Sequence, residues 1–155
     1  MADIQKITPF LWFDGRAKEA ADFYTSVFRN SRVLSMTRLD AGPGEGAHII
    51  SFELDGQEFT ALDGGPLYSF TPAISFVVNC DTQEEVDHFW KCLSEEGEQD
   101  MCGWVKDKFG VSWQVVPVVL FKMLSDPLKA AAVMEAMLGM RKLDIPQLQE
   151  AYDKA

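Results

Sequence analysis

An internal repeat constrains the fold of this chain more than any other feature of its sequence. The run TPFLWF at Thr8–Phe13 recurs as TPAISF at Thr71–Phe76. Both runs are short and apolar, with a proline near the beginning, where a strand tolerates it. An amphipathic helical pattern follows each run, and paired aromatic residues occupy the same place in both helices, at Phe23–Tyr24 and at Phe89–Trp90. The chain is therefore predicted to contain the same folding unit twice.

The rest of each copy reads as a set of strands. In the first copy, the alternating runs Arg32–Leu39 and Ile49–Leu54 are followed by a glycine turn at Gly56. The second copy has the same turn at Gly110, preceded by a shorter and weaker stretch around Met101–Lys106. We therefore predict an α+β fold in which a strand, a helix and three strands, the βαβββ unit, occur twice.

The two units and the residues after them define the predicted domain organisation. We place the first module at residues 1–65, the second at 66–118 and a C-terminal helical extension at 119–155, within one structural domain. Gly64–Pro66 is the predicted hinge between the modules. The extension carries methionine and alanine at helical spacing, which is typical of packing surfaces. We expect it to cover a sheet edge or a partner subunit.

Composition excludes several classes of protein. A chain of 155 residues with 47% hydrophobic and 25% charged residues has material for one ordinary folded domain. Its formal charge of −10 repels phosphate backbones and anionic membrane surfaces, so no nucleic-acid or membrane partner is expected. No apolar stretch reaches the roughly 18–20 residues that span a bilayer, no secretion signal is recognisable, and the three cysteines lack CxxC spacing. A cytoplasmic protein with free thiols is the prediction.

Three segments resemble a known family. The strand Ile7–Phe13, the segment Asp107–Pro117 and the tail motif Ala136–Ile145 are similar to the PhnB-like branch of the vicinal oxygen chelate superfamily. This superfamily includes glyoxalases, bleomycin-resistance proteins and extradiol dioxygenases, and the branch is often labelled 3-demethylubiquinone-9 3-methyltransferase. The resemblance covers nearly the whole chain. It implies that the two modules curve their sheets into a cup, that the protein is a homodimer and that it binds a small molecule.

The resemblance also implies where metal ligands would lie, on the first and last strand of each module. The matching positions in this sequence are Phe10, Thr60, Ala73 and Gln114. None of these is His, Glu, Asp or Cys, and only Gln114 offers an amide oxygen. A divalent ion needs several basic donors in exchange for its hydration. We therefore predict no metal at this site and no cofactor.

Strand alternation predicts what the cup offers instead. Alternate residues, such as Leu11 and Ile74, are expected to face the helices, while Val77 and Val116 are among those expected to face the cup. The cup-facing set mixes aromatic surface with a few polar groups, which suits a small organic ligand. Trp12 is expected either to contact such a ligand, with its indole N–H as a donor, or simply to fill the cavity. The predicted ligand-binding residues are Phe10, Trp12, His48, Glu58, Thr60, Ser75, Trp104 and Gln114.

Three functions remain open on this basis. The leading hypothesis is a metal-free small-molecule-binding protein. The enzyme alternative is a metal-dependent isomerase, lyase or dioxygenase, with Glu58 or Gln114 recruited as ligand and His48 or Glu58 as base. The third is an interaction module whose cup is filled by its own side chains. Whether any reaction is catalysed is left open.

Two further patterns carry less chemistry. His88 and Cys92 are four residues apart on one helix and could form a thiolate–imidazole pair, although a histidine at the rim beside a partly buried thiol is favoured. Methyl transfer normally uses a glycine-rich turn that leads from a strand into a helix. The glycines of Gly42–Gly46 lie between two strand patterns instead, so the methyltransferase label is disfavoured.

Overall fold

The computed structural model describes residues 4–155 and contains two βαβββ modules followed by three helices. The first module consists of β1 (Phe10–Phe13), α1 (Ala17–Val27), β2 (Arg32–Arg38), β3 (His48–Leu54) and β4 (Gln57–Asp63). The second consists of β5 (Phe76–Cys80), α2 (Gln83–Ser94), β6 (Glu98–Gln99), β7 (Trp104–Lys106) and β8 (Ser112–Pro117). The tail contains α3 (Val118–Leu124), α4 (Ala130–Leu138) and α5 (Ile145–Lys154). The predicted α+β fold with a duplicated unit is confirmed.

The chain divides into two compact units, the first ending at Phe70 and the second beginning at Thr71. In the first unit, the strand order is β1-β4-β3-β2, and β1 runs parallel to β4. We call this sheet 1. Helix α1 packs on one of its faces, where Tyr24 of the helix stacks on Phe52 of β3, and Phe52 stacks on Phe59 of β4. The residues that alternate with these form the open face of sheet 1, which is half-buried or exposed. Its members include Phe10, Trp12, Ile49, Ser51, Glu53, Glu58, Thr60 and Leu62.

The second unit repeats this arrangement in sheet 2, with strand order β5-β8-β7-β6 and β5 parallel to β8. Helix α2 is capped by Thr82, whose hydroxyl accepts a hydrogen bond from the Glu85 backbone N–H. Its buried stripe is Val86, Trp90 and Leu93. On the sheet, the alternate residues Val78, Cys80, Trp113 and Val115 are buried. The open face of sheet 2 carries Val77, Asn79, Trp104, Lys106 and Gln114. Ser112 lies on the same side but is buried.

The first strand of the second module lies later in the chain than the sequence repeat predicts. Strand β5 begins at Phe76, and the preceding residues form a turn in which the Ile74 N–H donates to the Thr71 carbonyl. Ile74 is 71% exposed, so the prediction that it faces the helices is wrong. Gln114 lies opposite Val77, as Thr60 lies opposite Phe10. The position equivalent to Phe10 is therefore Val77 rather than Ala73.

The tail packs within the second unit. Its buried residues form one cluster with Val116 of β8, and this cluster contains Val116, Leu120, Met123, Val133, Leu143 and Leu148. Val116, which was expected to face the cup, is thus covered by the tail helices. Backbone hydrogen bonds from the Cys102 and Gly103 N–H groups to the carbonyls of Met140 and Arg141 tie the segment before α5 to the loop before β7. Among the helices of residues 4–155, none has both the length and the apolar character needed to cross a bilayer.

Candidate functional site

The predicted site residues fall into two groups and one separate residue. Sheet 1 places Phe10, Trp12, Glu58 and Thr60 on its open face, and sheet 2 places Trp104 and Gln114 on its own, with Ser75 just before β5. His48 lies on the helix-covered face of sheet 1.

On sheet 1, an exposed aromatic ring lies beside short polar groups. Phe10 is 57% exposed and lies directly opposite Thr60, and Glu58 is two residues before Thr60 on the same face. The backbone of Glu58 is secured by Gln5, whose amide donates to the Glu58 carbonyl at 3.0 Å and accepts from its N–H at 3.2 Å. This pair satisfies the β4 backbone at a point that β1 does not reach. The face thus offers an apolar surface, a hydroxyl and a carboxylate.

The indole N–H of Trp12 makes a hydrogen bond within the protein. It donates to the Gly65 carbonyl at 2.9 Å, so this N–H is not free to donate to a ligand. A Cβ at Gly64 would come within 2.1 Å of the indole, which shows that the Gly64 backbone lies against the ring. Gly64 and Gly65 are therefore held on β1, and the boundary between the two units falls later, after Phe70.

On sheet 2, three predicted residues lie together. The Gln114 amide donates a hydrogen bond of 2.9 Å to the Ser75 hydroxyl, and Trp104 lies directly opposite Gln114 on the neighbouring strand. Val77, on the other side of Gln114, is exposed. Within residues 4–155, no hydrogen bond to the Gln114 amide oxygen is present. Because its amide group is fixed by Ser75, this oxygen is a preoriented acceptor beside an indole ring.

His48 has a different environment from the other predicted residues. Strand alternation places it with Ile50, on the face that carries α1. Its ring Nδ1 lies 3.2 Å from Asp63 Oδ2, which also accepts the His48 backbone N–H at 3.1 Å. The other oxygen of Asp63 accepts the Ala17 N–H at 2.8 Å, at the beginning of α1. His48 therefore belongs to a structural cluster around the start of this helix.

The environments of Cys92 and Cys80 disfavour a thiolate. Cys92 Sγ lies 3.8 Å from His88 Nδ1, but burial raises the pKa of the Cys92 thiol and the Glu95 carboxylate raises it further. Burial also raises the pKa of the Cys80 thiol to about 12, with smaller contributions from the carboxylates of Glu85 and Asp81. Thiolates are the nucleophilic and metal-binding form, so the pair on α2 is a weak candidate for chemistry.

The residues at the superfamily's metal positions do not fit a divalent cation. With the strand register of this structure, these positions are Phe10, Thr60, Val77 and Gln114. A phenyl ring and an isopropyl group have no lone pair to donate, and a hydroxyl and an amide are weak neutral ligands. Within residues 4–155, no group of three or more His, Cys, Asp or Glu side chains is arranged to hold a metal ion.

Sequence reasoning missed two residues of these surroundings, Asp63 and Tyr68. The position of Asp63 could have been predicted from the sequence, because alternation from the buried Ala61 places its carboxylate on the α1 side of β4. The position of Tyr68 could not, since it lies in the connection between the modules, where no periodicity applies. Its ring meets Trp12 edge-on, with ring centroids 5.1 Å apart.

Comparison with known proteins supports the fold and identifies the family. Residues 5–116 match the family described as 3-demethylubiquinone-9 3-methyltransferase. The PhnB protein from Bacillus cereus is 43% identical over 74% of this chain and all of its own, with a TM-score of 0.69. The fosfomycin resistance protein FosX from Listeria monocytogenes shares the fold at 14% identity, covering 80% of this chain and 98% of its own, with a TM-score of 0.57. The comparison with curated proteins gives no match. The chain thus belongs to the PhnB-like branch of the vicinal oxygen chelate superfamily, in the family that carries the 3-demethylubiquinone-9 3-methyltransferase description.

Proposed function

We propose that this protein binds a small organic molecule without a metal ion, using the open faces of its sheets. The observation that carries the proposal is the fixed amide of Gln114 beside Trp104 and Val77, at a position where the superfamily would place a metal ligand. An apolar surface with a few oriented polar groups is the usual composition of a small-molecule site. The proposed ligand-contacting residues on sheet 2 are Ser75, Trp104 and Gln114, and those on sheet 1 are Phe10, Glu58 and Thr60, with Trp12 on the same open face.

The proposal is tested with N-phenyl-1-naphthylamine, an uncharged aromatic probe whose fluorescence rises when it leaves water. We expect saturable binding to the wild-type protein after chelator treatment, and about three- to tenfold weaker binding to Gln114→Ala, because the oriented acceptor is lost. Asn79→Ala is the matched control, since Asn79 is an exposed polar residue on the same face of sheet 2. Absence of saturable binding to the wild type would contradict the proposal.

The metal-dependent alternative has weaker support. Glu58 does lie on the open face of sheet 1, where it could contact a substrate. His48, the other proposed base, lies on the opposite face beside Asp63. Activity that appears only with added Mn²⁺ or Zn²⁺ and disappears in Glu58→Gln would favour this alternative over metal-free binding.

The methyltransferase description receives no support from the local structure. Gly42–Gly46 connects the antiparallel strands β2 and β3 and does not lead from a strand into a helix. A nucleoside-containing cofactor is normally held where a glycine-rich turn leads from a strand into a helix. We therefore base the proposed function on ligand binding and not on methyl transfer.

We also propose that the protein is a cytoplasmic homodimer. Exposed apolar side chains on the edge strand β2, at Val33, Leu34 and Met36, support association, as do others on the tail helices such as Phe121 and Leu138. Native mass spectrometry should give twice the 17.4 kDa chain mass. A mass of one chain at micromolar protein concentration would contradict the dimer.

A further inference from the structure

The segment between the modules is attached to sheet 1 along its length. The Gly64 N–H donates to the Phe13 carbonyl at 2.8 Å, and the Gly65 carbonyl accepts the Trp12 indole N–H at 2.9 Å. At the other end, the Phe70 ring packs edge-on against Phe13, with ring centroids 5.2 Å apart. Strand alternation directs Trp12 to the open face and Phe13 to the α1 face. The segment Gly64–Phe70 is therefore held by both faces of β1.

This attachment fixes an aromatic residue beside the open face of sheet 1. Tyr68 contacts Trp12 edge-on, at an interplanar angle of 73°, and remains 63% exposed. Such edge-to-face pairs are favourable beyond the area they bury. Within residues 4–155, the Tyr68 hydroxyl has no hydrogen-bond partner. Phe10, two residues from Trp12 on the same face, is also exposed, so Trp12 lies between two accessible rings.

We propose that Tyr68 is a ligand-contacting residue that favours planar, uncharged aromatic molecules, and that Trp12 is the residue that positions it. This inference rests on the proposed small-molecule-binding function and adds to it a ligand class and a residue outside the strands. Phe10 and Tyr68 supply ring surface for stacking, and the phenol offers one hydrogen bond to a polar group at the ligand edge. The Trp12 side chain cannot itself donate to the ligand, because its indole N–H is bound to the Gly65 carbonyl.

The test measures the dissociation constant of N-phenyl-1-naphthylamine for four variants. Tyr68→Ala should weaken binding about three- to tenfold, because an aromatic contact is lost. Leu67→Ala is the matched control, since Leu67 is 72% exposed in the same segment, and it should change the constant less than twofold. Trp12→Phe removes the donor that fixes Gly65 and should weaken binding to a similar extent as Tyr68→Ala.

The Trp12→Phe, Tyr68→Ala double variant distinguishes positioning from general weakening. If Trp12 acts through Tyr68, the double variant binds the probe no more weakly than Tyr68→Ala alone. Additive losses in the double variant, or equal affinities of Tyr68→Ala and Leu67→Ala, would overturn the inference. In that case the wild type still binds the probe and the proposed function stands. A wild type that binds no probe would refute the proposed function itself.

Discussion

At the scale of single residues, Asp63 has the clearest structural role. Helix α1 begins after Arg16, which makes no side-chain capping bond, and the Asp63 carboxylate accepts the Ala17 N–H from a different strand. Asp63→Ala leaves this N–H and the His48 backbone N–H without their acceptor. We expect a loss of about 1–2 kcal/mol in the free energy of unfolding, measured by urea denaturation at pH 7.

Asp63→Asn is the matched control for this prediction. It keeps one side-chain oxygen for the Ala17 N–H but removes the charge that favours the helix N-terminus. Its stability should fall between those of the wild type and Asp63→Ala. Equal stability of Asp63→Ala and the wild type would show that water caps the helix equally well.

The Cys80 thiol should be chemically inert in the folded protein. It is fully buried, and burial raises its pKa to about 12, so almost no thiolate forms at pH 8. Iodoacetamide at pH 8, followed by peptide mass spectrometry, should leave Cys80 unmodified while Cys102, which is partly exposed, becomes labelled. In 8 M urea all three cysteines should react. Labelling of native Cys80 at the rate of Cys102 would contradict this prediction.

Residue-level prediction from sequence succeeded where strand alternation decides the outcome. Leu11, Phe13, Phe59 and Ala61 are buried as alternation requires. It did not identify the acceptor of the Trp12 indole N–H, because that acceptor is a backbone carbonyl 53 residues away in a connection without periodicity. Long-range hydrogen bonds of this kind leave no local pattern in the sequence, so only the three-dimensional structure shows them.

At the scale of elements, β5 shows how a sequence repeat can mislead. TPFLWF and TPAISF are similar in sequence. The first nevertheless contains β1, while the second forms a turn that ends where β5 begins. Thr71 stabilises this turn, because its hydroxyl accepts the Ala73 N–H at 3.2 Å and its carbonyl accepts the Ile74 N–H. The residues FVVNC at 76–80 carry the buried strand instead. Similar letters therefore did not specify the strand register, which the pairing with β8 determines.

Gly103 joins the tail to the second sheet and should not tolerate a side chain. Its φ is +82°, and a Cβ would lie 2.7 Å from the Val115 carbonyl oxygen and 3.2 Å from Leu143. Its N–H also donates to the Arg141 carbonyl, which leads into α5. Gly103→Ala should lower the free energy of unfolding by about 1–3 kcal/mol, because it combines backbone strain with a steric clash.

Gly139 supplies the matched control within the same tail. Its φ is −88°, and a Cβ there would meet only the Ala136 carbonyl oxygen, at 3.6 Å. Gly139→Ala should leave stability unchanged or raise it by about 0.4–1 kcal/mol, because alanine restricts the unfolded chain. If Gly103→Ala and Gly139→Ala lowered the free energy of unfolding equally, the loss at Gly103 would not come from its left-handed conformation, and the prediction would be contradicted.

At the scale of the whole chain, the duplicated architecture was predictable and the position of the tail was not. Hydrophobic periodicity and the paired aromatics of α1 and α2 indicate two βαβββ modules, and both are present. The tail's apolar stripe predicted packing in general terms, but not that it would cover Val116 on β8. The apolar stripe of a helix can pack on several apolar surfaces, because the hydrophobic effect is non-directional. The stripe alone therefore does not predict which surface the helix covers.

The formal charge of −10 makes a prediction about ligand choice that holds for the chain as a whole. The sulfonated probe 8-anilinonaphthalene-1-sulfonate has the same ring system as N-phenyl-1-naphthylamine but carries a negative charge. Glu53 and Glu58 lie opposite each other on the open face of sheet 1, and among the described residues 4–155 only Glu53 of this pair has an ion-pair partner, Arg32 at 3.8 Å. The anionic probe should therefore bind more weakly than the neutral one at low ionic strength.

Salt separates this electrostatic effect from differences in probe shape. The Debye length falls from about 30 Å at 0.01 M salt to about 8 Å at 0.15 M, so repulsion of the sulfonate is strongly screened over that range. The affinity for the anionic probe should rise about threefold or more between these concentrations, while that for the neutral probe should change less than twofold. Fluorescence titration of both probes with one protein preparation measures how the affinity for each probe changes with salt concentration. The same salt dependence for both probes would contradict this prediction. It would mean that the affinity depends on the ring surface of the probe and not on its charge.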